Sequence, residues 1–404
     1  MNLDSTQFEI LKNEMPTKKE EGWKYTSLTE FKKIPWKMHA AASVEPVLSH
    51  DQMQQISMHL PAEFFNIVFV DGKLNKTLSD ELNSQIEILA IEESDLAIEA
   101  EHIEKGVLQF AKLNLSKKIR ISLTPHQVME KPLHILLVDN SSAHEFRSEK
   151  IDIHVGKFAQ ATILTQSISL NDESVGGLNL HLNLSADESA VVKLIQIQNE
   201  NLKSYHFAQT EVQLSSNVQF LSFVMSLGGH LVRNYFHLGL LGQHADAGVY
   251  GLNALNDIQH ADHYTFIQHK TGGNESRQLY KSVLSDGSHS VFRGRVRIEK
   301  DAQKANSEQL NNNLLLTREA QADSIPQLEI YADDVKAGHG STVGQLNKEE
   351  IFYFLSRGIN QYQAVRMLSF GFAKALIYKF ENEVLQNWML KILNKKLDGM
   401  IKND

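Results

Sequence analysis

Residues 178–184 read LNLHLNL, and this strict alternation decides the fold class. In an extended chain successive side chains point to opposite faces, so Leu178, Leu180, Leu182 and Leu184 share one face while Asn179, His181 and Asn183 share the other. The same period of two occurs upstream at Ile119, Ile121 and Leu123, and again at Ile151, Ile153 and Val155. From about residue 107 to Gly344 no helical spacing interrupts these runs, so the region reads as a long succession of strands.

Between the strands a loose theme returns: a polar turn of small residues, then a β-branched or aromatic residue. It is seen in SADESAVV (185–192), LSSNVQF (214–220), HADAGVY (244–250), QHADHYTF (259–266), LSDGSHSVF (284–292) and EAQADSIP (319–326). The steps between copies are irregular, many of them about 30 residues, as in stacked coils of unequal length. A sandwich or barrel would show tight two-residue hairpins, and Asp286-Gly287 is the one Asp-Gly or Asn-Gly pair in this region. The pattern therefore favours a mainly β protein built around a parallel β-helix, with Asn311 to Asn313 as a possible ladder at a coil corner.

Both flanks differ from this centre. The first forty residues place Phe8, Leu11 and Met15 on one helical face, then break at EEGWKYTSLTEF (20–31), where Trp23 and Tyr25 read as core of a small cluster. Strand-like FNIVFVDG (65–72) and IEILAI (86–91) follow, so residues 1–106 form a mixed α/β, largely helical N-terminal region. Residues 107–346 are the β-helix. Beyond them Asn347 is an N-cap with Glu349 and Glu350 in the first turn, and Gly358 stands where a left-handed C-terminal residue belongs. Two further helical patterns, 360–384 and 385–397, complete a C-terminal α-helical module over 347–404.

Composition narrows the function. The chain has 404 residues, 42% of them apolar and 22% charged, with a net charge of −9. That charge disfavours nucleic acid and anionic membrane as partners. No basic start followed by an apolar core reads as an export signal, so a cytoplasmic location is expected. Cysteine is absent, which excludes disulfides, a thiol nucleophile and any thiolate metal site made by this chain alone. If soft metals are handled, another subunit brings the sulfur.

The stretch DDVKAGHGSTVG (333–344) concentrates two acids, a histidine and glycines before the first C-terminal helix. As a phosphate loop it fails: the spacing of Gly338, Gly340 and Gly344 matches neither glycine fingerprint, and no second parallel strand follows. His339, flanked by two glycines, reads as a turn histidine or an exposed imidazole. His237, His244, His260, His263 and His269 crowd a short span, but the i, i+3 pair His260 and His263 faces opposite sides of a strand, and solvated or locally bonded roles suffice. Arg293, Arg295 and Arg297 share one strand face, which reads as a solvated stripe. A carbohydrate-active β-helix enzyme, lyase or hydrolase, is the alternative function, although Asp333 and Asp334 would alternate in and out on a strand and leave at most one acid in a groove.

Three long segments carry a resemblance: 276–320, SRQLYKSVLSDGSHSVFRGRVRIEKDAQKANSEQLNNNLLLTREA; 326–346, PQLEIYADDVKAGHGSTVGQL; and 351–359, IFYFLSRGI. With GWKYTSL (22–28) near the start, they are similar to the paired SufB and SufD subunits of the SUF iron-sulfur cluster assembly machinery, and look most like the SufD side. The resemblance implies a right-handed β-helix and a non-catalytic scaffold role. It implies pairing with SufB through the β-helix, docking of the SufC ATPase on the helical module, and a SufB-SufC2-SufD complex in which the nascent iron-sulfur cluster forms on SufB. No cofactor would be held stably by this chain alone, and homodimers are expected in isolation.

The family pattern also marks His339 as a metal or cluster contact at the SufB interface, as an iron ligand or a proton acceptor; on the helical module, Phe352, Tyr353 and Arg357 are expected in or beside the surface that meets SufC, with packing of the module on the β-helix end as the other role of the two aromatics. This chain departs from the pattern at Ala337, where the pattern carries cysteine. Any thiolate would then come from SufB.

Overall fold

A computed structural model gives the architecture; it describes residues 12–13, 15–38, 47–82, 85–90, 117–141 and 144–401. Successive strands alternate between two ten-stranded sheets, so each coil lends one strand to each sheet and then climbs to the next. Pairing between coils is parallel throughout the centre: Tyr205 lies beside Leu231, Leu231 beside His260, His260 beside His289 and His289 beside Gln321. These register partners are 26, 29, 29 and 32 residues apart, which is why the sequence theme returns at uneven intervals. The parallel β-helix expected from the alternation is the fold that forms.

Corners explain how the coil turns without hairpins. Ser189, Asn217, His244, Asp257 and Asp286 all adopt left-handed backbone with φ between 51° and 60°. Asn and Asp tolerate that region because their short polar side chains bond locally. Two of these corners are tied to the next coil by backbone bonds: the Ser189 amide donates to the Ser216 carbonyl at 2.9 Å and the Asn217 amide to the Gln243 carbonyl at 2.9 Å. The run Asn311 to Asn313 is not at a corner. It lies inside strand Asn306–Leu315, where Asn313 Nδ2 donates to Asn311 Oδ1 of the same strand at 2.7 Å.

The lumen changes character along its length. In the first coils the inward positions are Ile119, Ile121, Leu123, Ile151, Ile153, Leu180 and Leu182, all buried. Further on, His263 Nε2 meets Asn253 Oδ1 at 2.7 Å, and Asn253 Nδ2 donates to Ser290 at 2.9 Å and to Ser282 at 3.3 Å, all inside the coil. A buried polar group must be paired to avoid a desolvation penalty, and here the pairs come from opposite walls of the solenoid.

The N-terminal residues form a strap rather than a domain. Phe31, Trp36 and Trp23 pack with Phe146, Tyr205 and Phe207 on the outer face of one sheet, with Phe31 and Phe207 rings 5.2 Å apart. Arg233 lies 4.4 Å over Trp23 and donates to the Gly22 carbonyl at 3.0 Å. Trp23 thus belongs to a small core, while Tyr25 is half-buried outside that cluster. Strands Phe65–Val70 and Ile86–Ala90 join the two sheets, the first parallel to Leu133–Asp139 and the second antiparallel to Lys117–Leu123. The sheets therefore reach upstream of residue 107. Phe8, Leu11 and the 106/107 boundary lie outside the described residues.

The C-terminal module starts as the capping residues suggest: Asn347 Oδ1 accepts from the Glu349 amide at 2.9 Å, and Gly358 has φ 82°. The single long helix read over 360–384 instead breaks after Gln361–Lys374. A short 3-10 turn, Ile377–Lys379, follows, and Asn382 caps a new helix, Glu383–Met400, by accepting from the Leu385 amide at 2.9 Å. Phe380, Leu385, Met389, Leu393 and Leu397 bury their side chains against solenoid residues such as Phe223. Lys281 Nζ donates to the Phe372 carbonyl at 2.9 Å, pinning the module to the sheet.

Candidate functional site

The two sheets end at strands Gln321–Ile330 and Lys336–Gly344, each paired on one side only. These are the outermost strands of the solenoid, and their free edges face away from the body. Ile330, Tyr331 and Val343 are exposed there. An open β edge with exposed apolar side chains is a ready template for another chain.

His339 lies in strand Lys336–Gly344, not in a turn, because the stretch pairs in full register with Asn306–Leu315. Gln309 is its partner across the ladder, and Gln278 is the partner of Gln309 one coil further in. Ser307, Gln309, Asn311 and Asn313 are buried, and Glu308 between them is exposed, so the odd-numbered positions face the lumen. His339 and half-buried Ala337 take the same inward positions on the last strand, which places the exposed imidazole at the mouth of the solenoid. Of the two flanking glycines, Gly338 is not forced by crowding, since a Cβ there would meet nothing within 4 Å, whereas a Cβ at Gly340 would lie 3.0 Å from the Leu310 side chain. Asp333 and Asp334 sit in the corner before this strand, where the Asp334 amide donates to Gln303 Oε1 at 2.9 Å, so they do not alternate on a strand.

Phe352 and Tyr353 belong to none of the buried clusters among the described residues. On helix Lys348–Leu355 no residue is buried, and these two are 70% and 54% exposed. The Arg357 guanidinium stacks 4.2 Å over the Tyr353 ring. The arrangement is a pre-formed aromatic and cationic patch on a projecting helix.

The remaining histidines and arginines resolve differently from a solvated surface. His263 points into the lumen and burial pushes its pKa down to about 4; His260 faces the opposite side, beneath the N-terminal strap and 2.9 Å from Thr26 Oγ1, and burial pushes it down to about 3. The buried His269 imidazole is likewise lowered to about 4. Arg295 pairs with Glu329 at 2.6 Å, Arg297 with Glu299 at 3.2 Å, and Arg293 donates to the Glu21 carbonyl at 2.5 Å. The arginine stripe is therefore bonded within the fold. Among the described residues no group of three or more His, Cys, Asp or Glu is arranged to hold a metal ion.

The family model for the SUF system FeS cluster assembly SufBD core domain matches residues 137–372. The chain belongs to the SufBD family of the SUF iron-sulfur cluster assembly system. The iron-sulfur cluster assembly protein SufD of Escherichia coli is 30% identical over 398 residues, covering 97% of this chain and 91% of that protein. An iron-sulfur cluster assembly SufBD family protein of Synechocystis sp. is 26% identical, covering 90% of this chain and 83% of that one. The SufD of Plasmodium falciparum is 29% identical over 73% of this chain and 20% of its own length. The matched SufBD core spans most of the solenoid, the mouth with His339, and the helix carrying Phe352 and Tyr353. Its place is in iron-sulfur cluster assembly.

Sequence reading picked His339 but not the polar file behind it. Gln309 and Gln278 belong to that file only through the register, and irregular coil lengths hide register from any fixed-period search.

Proposed function

We propose that this chain is a non-catalytic scaffold subunit that pairs with a SufB subunit through the open end of its β-helix and docks the SufC ATPase through its C-terminal helices. The observation that carries the reading is the mouth itself: two parallel strands, each with one free edge, and an inward imidazole, His339, at the rim. A second solenoid abutting these edges would continue both sheets and enclose His339 between the two lumens. One neutral imidazole is a suitable nitrogen ligand for iron, and a chain without cysteine leaves the thiolates to the partner. The cluster is thus cargo assembled at the junction rather than a resident cofactor of this chain.

The exposed Phe352, Tyr353 and Arg357 patch is the proposed contact for the ATPase. Aromatic and arginine side chains that desolvate on binding carry a large share of interface energy. Among the described residues no helix is long and apolar enough to cross a membrane, which accords with a cytoplasmic complex. Co-expression of the tagged chain with SufB and SufC, followed by purification at moderate salt, tests the reading. A stoichiometric three-component complex is expected, and recovery of the tagged chain alone or as a homodimer would oppose it.

A further inference from the structure

A second feature lies well away from the mouth. A cavity of about 510 Å³ on the outer sheet face is ringed by already paired groups, but another of about 440 Å³ is not. It lies between helix Glu383–Met400, the end of helix His50–Ser57 and the corners around Ile168–Asp172 and Asn199–Leu202. His59, Lys395 and Lys396 line it together.

None of the three basic groups has a carboxylate partner among the described residues. Lys396 Nζ donates only to neutral amide oxygens, Asn256 Oδ1 at 2.6 Å and Gln259 Oε1 at 2.8 Å. His59 Nδ1 faces the Gln166 side-chain amide at 3.0 Å. Of the acids on the wall, Glu200 is already engaged by His206 at 2.7 Å and by Gln198 at 2.6 Å, and Asp172 is exposed on the rim. Burial pushes Lys396 down to about 8 against the opposing pull of Asp257, and burial together with the positive charges of Lys395 and Lys391 lowers His59. A partly buried cation with no carboxylate bonded directly to it is a costly arrangement that an incoming anion relieves.

We propose that this cavity is a binding site for a small organic oxyanion, a metabolite carrying a phosphate or carboxylate group. Lys396 and His59 would hold the oxyanion from within, Lys395 from the entrance, and the volume leaves room for the rest of a small molecule. Such a ligand touches the solenoid and the last helix at once. Its occupancy would tighten the seat of the module that presents Phe352 and Tyr353.

The test uses the full chain in thermal unfolding with millimolar inorganic phosphate, citrate or chloride at matched ionic strength. Phosphate, citrate or both should raise the midpoint by about 2 °C over chloride, since a ligand bound only by the folded state stabilises it. Lys395→Glu reverses an exposed charge, so it should keep the chloride midpoint and abolish the shift; Lys396→Gln should do the same where it folds. Equal midpoints in all three salts would overturn the proposal. So would a shift retained in Lys395→Glu, which would mark general exclusion of the anions from the protein surface.

Discussion

The two ends of the solenoid are opposites. At the N-terminal end the lumen is filled by Ile119, Ile121, Ile151, Leu180 and Leu182, and the strand Ile86–Ala90 closes one sheet by pairing antiparallel with Lys117–Leu123. At the C-terminal end the lumen carries His263, Gln278, Gln309 and Asn313, and the last strands stop with free edges around His339. One end closes the fold, and the other leaves two strand edges open. The difference teaches that a repeating architecture can vary its cargo coil by coil, because each coil contacts only its neighbours.

Substitutions should expose this polarity. Leu182→Ala, in the fully buried apolar coils, should cost about 2–5 kcal/mol in denaturant unfolding. Val343→Ala, at the exposed mouth, should cost less than about 0.5 kcal/mol, and equal losses at the two ends would erase the distinction. In the polar lumen, Asn253→Ala leaves His263, Ser282 and Ser290 short of a partner and should cost about 1–3 kcal/mol.

The same lumen predicts a pH dependence. His263 is lowered from 6.5 to about 4 in the fold, so the unfolded chain binds the proton more readily. Its contribution is fully present above pH 6.5 and is lost as pH falls through that window toward 4. His263→Gln keeps a polar group without titrating, so its unfolding midpoint should fall less than that of the parent between pH 6.5 and 4.5. Parallel curves would show that another group governs the acid limb.

The smallest effect on the fold is expected in the helical patch. Arg357→Glu should leave the unfolding midpoint unchanged, because the side chain only stacks on exposed Tyr353, yet weaken capture of the SufC ATPase about tenfold, roughly 1.4 kcal/mol. Full retention in a pull-down would remove this patch from the interface.

Much of the fold was legible in the alternation of Leu178 to Leu184 and its echoes, since a period of two maps directly onto inside and outside. The caps Asn347 and Gly358 were legible because each residue type has a specific backbone use at a helix end. The corners were legible as the recurring polar turns that hold Ser189, Asn217, His244 and Asp286, but the left-handed backbone of Ser189 was not, because serine rarely enters that region. The break after Lys374 was hidden by apolar spacing that continues across it, whereas the last helix, read from residue 385, starts at Glu383 behind its cap Asn382. At the candidate site the sequence singled out His339 through its glycine neighbours, but the wrong local structure followed from them. A glycine-rich stretch reads as a turn, whereas here pairing with Asn306–Leu315 draws it into a strand. Arg293, Arg295 and Arg297 share a face as expected, and only the folded coil shows their partners Glu21, Glu329 and Glu299.

The proposed junction with SufB rests on His339 at the open mouth. In a complex reconstituted with SufB and SufC, His339→Ala should lower the yield of assembled iron-sulfur cluster, read by its visible absorbance, while the three subunits still co-elute. An undiminished yield from that intact complex would contradict it.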